Sequence, residues 1–416
     1  MKDIFYQNKY NLTLSILLFV TAFSLPFSSA FNSISFTVLF IYSFVFFKSD
    51  LFLNNLTYKK VYVFYILFFL FQVISVYYSS DKTLAFDKIT KNVIFFIAPI
   101  TFINLRNNID KDKLTFVFFG LLTAVLATLI VAYYYLFKQV FFEDVPYKYF
   151  VREKFIENGI YEIHVPYLAM LIVFLIVCSY KISFHSKVGV NRILKFASMS
   201  FLSLSLFQLA GMMSIFIFCI FIGTVIFSAK LSKLRKITII LLISSLSIFF
   251  LQTLKNSNKV VRDKGSESIV YRIQNIIEVS DPVRKENWRS VVKVISSNLL
   301  LGVGVDGGLE LLQKERNINS EAYINKHNAH NEILEILLRF GFVGLIIYIL
   351  ILVKLIKKAF LTNNYYFKWA LAIFIISGLT ESYLQRQIGL MFFVFFSLFF
   401  YTFKAGSKQK LNQLKS

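Results

Sequence analysis

Residues 326–353 read KHNAHNEILEILLRFGFVGLIIYILILV, and two of the chain's four histidines, His327 and His330, stand just before a long apolar run. A helix needs about 20 apolar residues to cross the hydrocarbon core of a bilayer. The run from 332 to 353 meets that length, so the sequence predicts a transmembrane helix with a histidine pair at its entrance. What the histidines can do depends on the side of the membrane that this entrance faces.

The composition predicts a polytopic membrane protein. Of the 416 residues, 57% are hydrophobic and only 16% are charged, whereas soluble domains carry about 25% charged residues. The net charge of +22 comes from short basic clusters between apolar runs, a pattern typical of topology signals and anionic-lipid contact rather than of nucleic-acid binding. Cys178 and Cys219 both fall inside apolar runs, which argues against a disulfide framework.

The expected fold class is an all-α polytopic membrane protein of about 12 transmembrane helices, with one large extracytoplasmic loop between spans nine and ten. The N-terminal run imitates a secretory signal, but a second apolar run follows almost at once, so an uncleaved first helix is expected. Spans one to nine occupy 1–253, the loop occupies 254–331, and the last three spans with a cytoplasmic tail occupy 332–416. The predicted spans are 11–29, 33–47, 61–79, 92–105, 114–137, 163–180, 193–210, 212–228, 236–253, 332–353, 367–380 and 386–404.

The basic residues orient these spans. Lysine and arginine concentrate in alternate inter-span segments, while the intervening segments are short or nearly balanced in charge. The positive-inside rule therefore predicts an even number of spans with both termini in the cytoplasm. On this topology His164, His327 and His330 face the outer side, and His185 faces the cytoplasm.

The segment RKENWRSVVKVISSNLLLG, residues 284–302, predicts an amphipathic helix in the outer loop. One helical stripe holds its apolar residues Trp288, Val291, Val292, Ile295 and Leu299. In one interpretation this helix is only an interfacial anchor, with its tryptophan at headgroup depth. In the other, Arg284 and Arg289 also bind the phosphate of a lipid-linked substrate, because guanidinium groups make bidentate contacts with phosphate oxygens.

The motif GVGVDG, Gly302 to Gly307, matches the dinucleotide-binding pattern only by letter. That pattern requires a preceding strand, a following helix and a nucleotide pool. An outer loop is not expected to offer them. The glycines are therefore predicted to allow a tight turn and a close backbone approach.

Three chemistries compete for the histidine pair. A metal site could combine His327 and His330 with Asp306, Glu332 or His164, although no third ligand has helical spacing. In a structural role His330 would cap the tenth span. In acid–base chemistry a neutral imidazole would accept a proton from an attacking hydroxyl, and this is the role that we favour.

Further polar groups are predicted at the outer ends of the spans, where they are costly and often functional. They are Glu332, Glu335 and Arg339 in span ten, Glu381, Gln385 and Arg386 in the turn before the last span, and His164, Pro166 and Tyr167 at the start of span six. Together they indicate a phosphate-bearing lipid substrate that is processed outside. Energy-coupled transport would place such groups near the middle of the membrane instead.

The stretches RKENW, NLLLGVGVDG and AHNEILEILLRFGFVGL, within 284–345, resemble the signature R-x-x-x-W … N-P-x-x-G-x-G … H-N-x-x-L-x-x-x-x-x-x-G-x-x-G of the O-antigen ligase and O-antigen polymerase superfamily. IHVPYLAM and GLTESYL are similar to weaker recurrent stretches of that family. The resemblance implies glycan transfer in the periplasm. A saccharide on undecaprenyl diphosphate passes to an acceptor hydroxyl without a nucleotide sugar, a cofactor or a catalytic metal.

The resemblance also implies residue roles: Arg284 contacts the diphosphate and His330, followed by Asn331, is the base. Many members carry an arginine after a serine at the start of span eight. Here the stretch reads QLAGMMSIF, so this arginine is missing, and Arg272 or Arg386 is expected to replace it. The remaining expected substrate contacts are Arg289, Glu381, His164 and Tyr167. The signature proline is also absent, because Leu299 follows Asn298.

The expected function is thus a metal-independent inverting glycosyltransferase of the bacterial inner membrane, acting as an O-antigen ligase on lipid A–core. A modest second outer loop, 138–162, favours the ligase over a repeat-unit polymerase, which would hold two lipid-linked chains. A polysaccharide or lipid transporter without chemistry is the alternative of another class. The expected partners are the lipid-linked donor, the lipid A–core or glycan acceptor, and membrane lipids.

Overall fold

The computed structural model describes residues 2–49, 60–143, 153–156, 163–229, 232 and 282–403. Every regular element in these residues is helical and none is a strand, so the all-α class is confirmed for them. The chain divides into two compact units, one of residues 1–127 and 283–416 and the other of residues 128–282. Predicted span 236–253 and Arg272 lie outside the described residues.

Helices make up most of the described residues. In chain order they are α1 (Lys2–Ser24), α2 (Ser29–Ser43), α3 (Lys60–Ser75), α4 (Lys82–Asn92), α5 (Ile94–Asn104), α6 (Lys111–Phe142), α7 (Glu153–Ile156), α8 (Val165–Lys181), α9 (Val188–Gln208), α10 (Met212–Ser228), α11 (Pro282–Ser297), α12 (Leu309–Glu315), α13 (Glu321–Ile324), α14 (Glu332–Leu361), α15 (Tyr365–Ser377) and α16 (Gln387–Thr402).

Several of these helices suit a membrane. Four segments are long and apolar enough to cross one by length and composition, namely Ser29–Phe46, Lys60–Tyr78, Lys111–Phe142 and Glu332–Leu361. Shorter apolar helices coincide with other predicted spans, but α5, with 11 residues, is too short to cross a core of about 30 Å by itself. The count of about twelve spans and the position of the large loop stay predictions.

An aromatic core holds the first unit together around α3, α5, α14, α15 and α16. The rings of Phe374 and Phe393 stack with centroids 4.5 Å apart, and Phe68 meets Phe95 edge-on at 5.1 Å. The Tyr65 hydroxyl lies 2.6 Å from Ser397 Oγ, so this buried phenol has a hydrogen-bond partner. Because apolar helices gain little by leaving lipid, such specific packing and polar contacts are what associates them.

In the second unit, α8 packs against α9 and α10. Every residue from Tyr167 to Ser179 is buried, which is typical of a helix surrounded by other helices. Gly211 allows the close approach, because a Cβ at this position would lie 2.8 Å from the Cβ of Ala169. Cys178 and Cys219, the cysteines of this unit, are both free thiols.

The helix α14 is interrupted at Gly341, whose φ of 57° and ψ of −162° are not helical. In a regular helix the amides of Phe342 and Val343 would donate to the carbonyls of Leu338 and Arg339. Instead, these amides donate to Leu299 O at 2.8 Å and Leu300 O at 3.2 Å. The segment 299–304 thereby takes the place of two helical hydrogen bonds.

The carbonyls that the interruption releases are satisfied by the same segment. Leu338 O accepts from Val303 N at 2.8 Å, and Arg339 O accepts from Gly304 N at 2.9 Å. A Cβ on Gly302 would collide with the backbone of Arg339, and a Cβ on Gly341 would collide with that of Leu300. The prediction that the GVGVDG glycines serve a tight turn and a close backbone approach is therefore confirmed.

The amphipathic helix α11 corrects one sequence-based interpretation. Its apolar stripe was expected to lie on the membrane surface, but Val291 and Ile295 are buried within the protein. They belong to a hydrophobic cluster that also includes Val294, Val303, Leu312, Ala329 and Leu338. Of the predicted stripe, Val292 and Leu299 remain exposed. Part of the apolar stripe of α11 thus packs against residues at the start of α14, although periodicity alone would place the whole stripe against lipid.

Replacing Gly341 by alanine is expected to lower the thermal midpoint of the purified protein. The observed φ and ψ are essentially restricted to glycine, and forcing another residue into them costs about 1–3 kcal/mol, before the collision with Leu300 is counted. Gly223→Ala is the matched control, since nothing lies within 4 Å of a Cβ there and alanine is a better helix former. Equal midpoints for the two variants in a detergent melting experiment would contradict this account.

Candidate functional site

The backbone of residues 327–329 is held by side chains that lie far away in the sequence. The carbonyl of His327 accepts from Arg316 Nη2 at 2.7 Å, that of Asn328 from Asn287 Nδ2 at 2.7 Å, and that of Ala329 from Trp288 Nε1 at 2.8 Å. Successive peptide groups before the histidine are thus fixed. The indole that was expected to sit among lipid headgroups instead donates to the loop beside His330.

The buried guanidinium of Arg316 connects these contacts. Besides His327 O, it donates to Asn287 Oδ1 at 2.6 Å and to Ala322 O at 3.2 Å. Neither Arg316 nor Asn287 was predicted from the sequence. Asn287 is buried, and its partner Asn328 is 41 residues away in the chain, so no local pattern marks it.

Glu335 and Arg339 form a brace beneath the histidine loop. Arg339 Nε donates to Glu335 Oε1 at 2.6 Å, and its Nη1 donates to the carbonyl of Val305. Glu335 Oε2 accepts from the amide of Ala329 at 2.9 Å. Both charged side chains are buried, so they connect the histidine loop to the glycine-rich turn within the protein.

His330 itself adopts a left-handed backbone conformation, with φ 44°. Such values are uncommon outside glycine and, where they persist, occur preferentially at functional sites. The amide of His330 donates to Asn328 Oδ1 at 2.9 Å. Its Nδ1 lies 3.2 Å from Glu381 Oε2.

Glu381 is the partner that orients the imidazole. Its Oε1 accepts from the amide of Ser382 at 3.1 Å, while its Oε2 faces His330. Burial raises the pKa of Glu381, but the hydrogen bond and charge of His330, the Ser382 amide and the charge of Arg284 outweigh it, so the pKa lies below its usual value. The carboxylate is therefore charged at neutral pH, and Arg284 is close enough to act on it.

The pairing between Glu381 and His330 decides what the ring can do. A carboxylate at one imidazole nitrogen places the proton on that nitrogen and fixes the tautomer and the ring orientation. With Nδ1 engaged by Glu381, Nε2 is left as the acceptor for a substrate proton. This is the geometry that a general base requires.

Asn331 has a structural position. Its Oδ1 accepts from the amide of Leu334 at 3.0 Å and so caps α14, while its Nδ2 donates to Leu379 O at 3.0 Å. Its amide donates to Ser382 Oγ at 3.3 Å. Asn331, rather than His330, is thus the cap of this helix, and it ties the helix to the 379–382 turn that carries Glu381.

The residues considered for a metal site are engaged elsewhere. Asp306 Oδ2 accepts from Ser80 Oγ at 2.8 Å, and Glu332 Oε2 accepts from the amide of Leu384 at 3.0 Å. His327 packs edge-on against His330, with ring centroids 5.1 Å apart. Burial, followed by His330 and Arg316, lowers the pKa of His327, although Glu321 and Glu381 oppose this. Among the described residues, no three His, Cys, Asp or Glu side chains form a group that could hold a metal ion.

The remaining predicted contacts fall into two sets. Arg289 on α11 and Arg386 at the start of α16, which follows the turn that carries Glu381, are exposed residues of the first unit. His164, exposed, and Tyr167, buried, belong to the second unit. The structure thus brings Arg284, His330, Asn331 and Glu381 together within the first unit.

A family model described as O-antigen ligase matches residues 194–349, whereas no curated protein matches the chain. The matched residues include Arg284, Trp288, the glycine-rich turn and His330, whereas Glu381 lies beyond them. The apolar helices and this match together indicate an integral membrane protein whose function is of the ligase or polymerase type. The match therefore confirms the resemblance drawn from the motifs, and over residues 194–349 the chain is similar to the O-antigen ligase family.

Proposed function

We propose that this protein transfers a glycan from undecaprenyl diphosphate to a hydroxyl of lipid A–core, at the periplasmic face of the bacterial inner membrane. The contact that carries the proposal is the 3.2 Å pairing of His330 Nδ1 with Glu381 Oε2. It supplies an oriented base in a loop whose backbone is fixed by Arg316, Asn287 and Trp288. Both chain termini then lie in the cytoplasm, as the basic segments predict.

In the proposed reaction His330 Nε2 accepts the proton of the acceptor hydroxyl. The acceptor oxygen attacks the anomeric carbon while the bond from that carbon to the diphosphate oxygen breaks. The product is the new glycosidic bond with inverted configuration, and undecaprenyl diphosphate leaves with its negative charge. No step requires a nucleotide sugar or a metal ion.

The leaving diphosphate needs positive charge at the same place. Arg284 is near enough for its charge to lower the pKa of Glu381, so its positive charge acts on the His330–Glu381 pair. Guanidinium groups hold phosphate oxygens through two parallel hydrogen bonds. Arg284 is therefore assigned to the diphosphate, as the resemblance implies.

The proposal changes the role of Glu381, which was expected to contact substrate. Both of its oxygens are engaged within the protein, by His330 and by the Ser382 amide. We assign it as a positioning residue that acts through His330. Its negative charge also stabilises the imidazolium that forms when the acceptor proton is taken.

His330→Asn is expected to reduce transfer by about 10²–10⁴-fold, the usual effect of losing a general base. Asparagine tolerates the left-handed backbone at this position, so the protein should still fold and insert. The measurement is transfer by purified protein from a lipid-linked glycan, with His327→Asn as the matched control. A similar loss in both variants would mean that His330 has no special role.

Glu381→Gln is expected to lower kcat while leaving KM for the donor nearly unchanged. The neutral amide no longer holds the proton on Nδ1 and no longer stabilises the imidazolium that forms during transfer. Glu381→Asp keeps the charge and should restore part of the rate. If Glu381→Gln lowered only the thermal midpoint and left kcat unchanged, the carboxylate would be merely structural.

A deletion strain distinguishes the acceptors. Both a ligase and a polymerase use the same donor and can share the same base, so the His330 site is common to both. If the protein is a ligase, a lipopolysaccharide gel of the deletion strain shows bare core, and long polymer accumulates on the carrier lipid. Core that bears a single repeat would instead identify a polymerase and contradict the proposed acceptor.

A further inference from the structure

The helix α4 brings a lysine to the turn that carries Glu381. Lys88 Nζ lies 3.5 Å from Gln385 Oε1, and its side chain is half-buried. The start of α4 is fixed, since Asp81 Oδ1 caps it by accepting from Leu84 N at 2.9 Å, and the Asp81 amide donates to Asp306 Oδ2 at 3.2 Å. The position of Lys88 is thus set by the same glycine-rich turn that supports the histidine loop.

The charges around Lys88 are mostly positive. The groups near enough for their charges to act on it are Arg339 and Glu335 on α14, Arg386 at the start of α16, and Lys91 on its own helix. The carboxylate among them, Glu335, already pairs with Arg339 at 2.6 Å. Within residues 60–143 and 282–403, Lys88 and Arg386 make no ion pair.

This environment makes a positive charge on Lys88 unfavourable in the substrate-free protein. Burial, followed by the charges of Arg339, Lys91 and Arg386, lowers the pKa of Lys88 to about 8, although Glu335 opposes the shift. The contact with Gln385 is long and involves a neutral partner, so it stabilises the charged ammonium little. A bound anion would instead favour the charged form of Lys88.

We propose that Lys88 and Arg386 form an anion subsite that binds a phosphoryl group of the lipid-linked donor, at the turn that carries Glu381 and Gln385. The inference deepens the proposed function and rests on it for the identity of the donor. Lysine supplies a compact charge with three donors, which suits one phosphoryl group, while arginine supplies a planar fork. Together with Arg284, the subsite would give each of the two phosphates of the donor a cation.

Because Lys88 titrates near a pH of about 8, the proposal predicts how donor affinity changes with pH. A phosphate ligand needs the charged ammonium, which is present below a pH of about 8 and lost above it. Donor binding should therefore weaken as the pH rises through this value, by up to about tenfold per unit. If Lys88 acted as a base, transfer would rise over the same range.

The experiment measures the binding of undecaprenyl diphosphate to the full-length protein in phosphatidylcholine nanodiscs between about pH 6.5 and about pH 9.5, a range that spans the titration of Lys88. At neutral pH Lys88→Gln should bind about 10-fold or more weakly than wild type, as expected for a lost charge-assisted hydrogen bond. Lys88→Arg should retain binding and remove the alkaline decline, because guanidinium stays charged. Lys314→Gln is the matched control, since Lys314 is exposed and paired with Glu310.

The outcomes separate this proposal from the proposed function. Equal binding by wild type and Lys88→Gln, with equal thermal midpoints, would overturn the anion subsite. If Lys88→Gln lost phosphatidylglycerol from mixed nanodiscs but still bound undecaprenyl diphosphate, the phosphate would belong to an ordinary phospholipid and the assignment to the donor would be wrong. His330→Asn should bind undecaprenyl diphosphate normally, so its loss of transfer tests the base without affecting this result.

Discussion

Four backbone hydrogen bonds at Gly341 are the constraint on which the rest of the first unit depends. Breaking α14 releases two amides and two carbonyls, and each unsatisfied group in an apolar environment costs several kcal/mol. The segment 299–304 satisfies all four. The glycine-rich turn and the helix α11 before it are therefore fixed to α14 through backbone hydrogen bonds.

A chain of side-chain contacts connects the interruption at Gly341 to the loop that carries His330. Arg339, two residues before Gly341, holds the turn through Val305 and holds Glu335, which in turn fixes the amide of Ala329. The asparagine and tryptophan of α11 fix the next carbonyls. His330 adopts its uncommon backbone conformation in a loop that is held on both sides. Such pre-organisation suits the proposed role of His330 as a base for a lipid-linked substrate.

The sequence predicted those features that depend on local pattern. Apolar runs indicated the helices, and the glycines of 302–307 indicated a close backbone approach, because both signals are carried by neighbouring residues. The interruption at Gly341 was missed, since a glycine within a long apolar run is compatible with an intact helix. The prediction that α11 lies on the membrane surface was wrong in part. Periodicity shows that an apolar stripe exists, but it does not show whether lipid or protein covers that stripe.

Sequence patterns predicted the candidate site less completely than the helices. Motif spacing selected His330 and Arg284, but the partner of the histidine is 51 residues away and was given a different role. Arg316, Asn287 and Lys88 were not selected at all, because what distinguishes them is the set of groups they meet after folding. Lys88 is the clearest case, since 297 residues separate it from Gln385.

The junction at Gly341 also determines the order in which the protein can assemble. The chain is synthesised from its N-terminus, so residues 299–304 leave the ribosome before residues 338–343, the groups that they must bond. Until α14 has entered the membrane, the glycine-rich turn has no partner for its amides and carbonyls, and the histidine loop has no brace. A nascent or truncated chain that stops before this helix therefore contains Arg284 and Trp288 but lacks the contacts that hold the histidine loop. If the proposed function holds, competence to react is acquired late in biogenesis, once α14 and the turn with Glu381 have been synthesised.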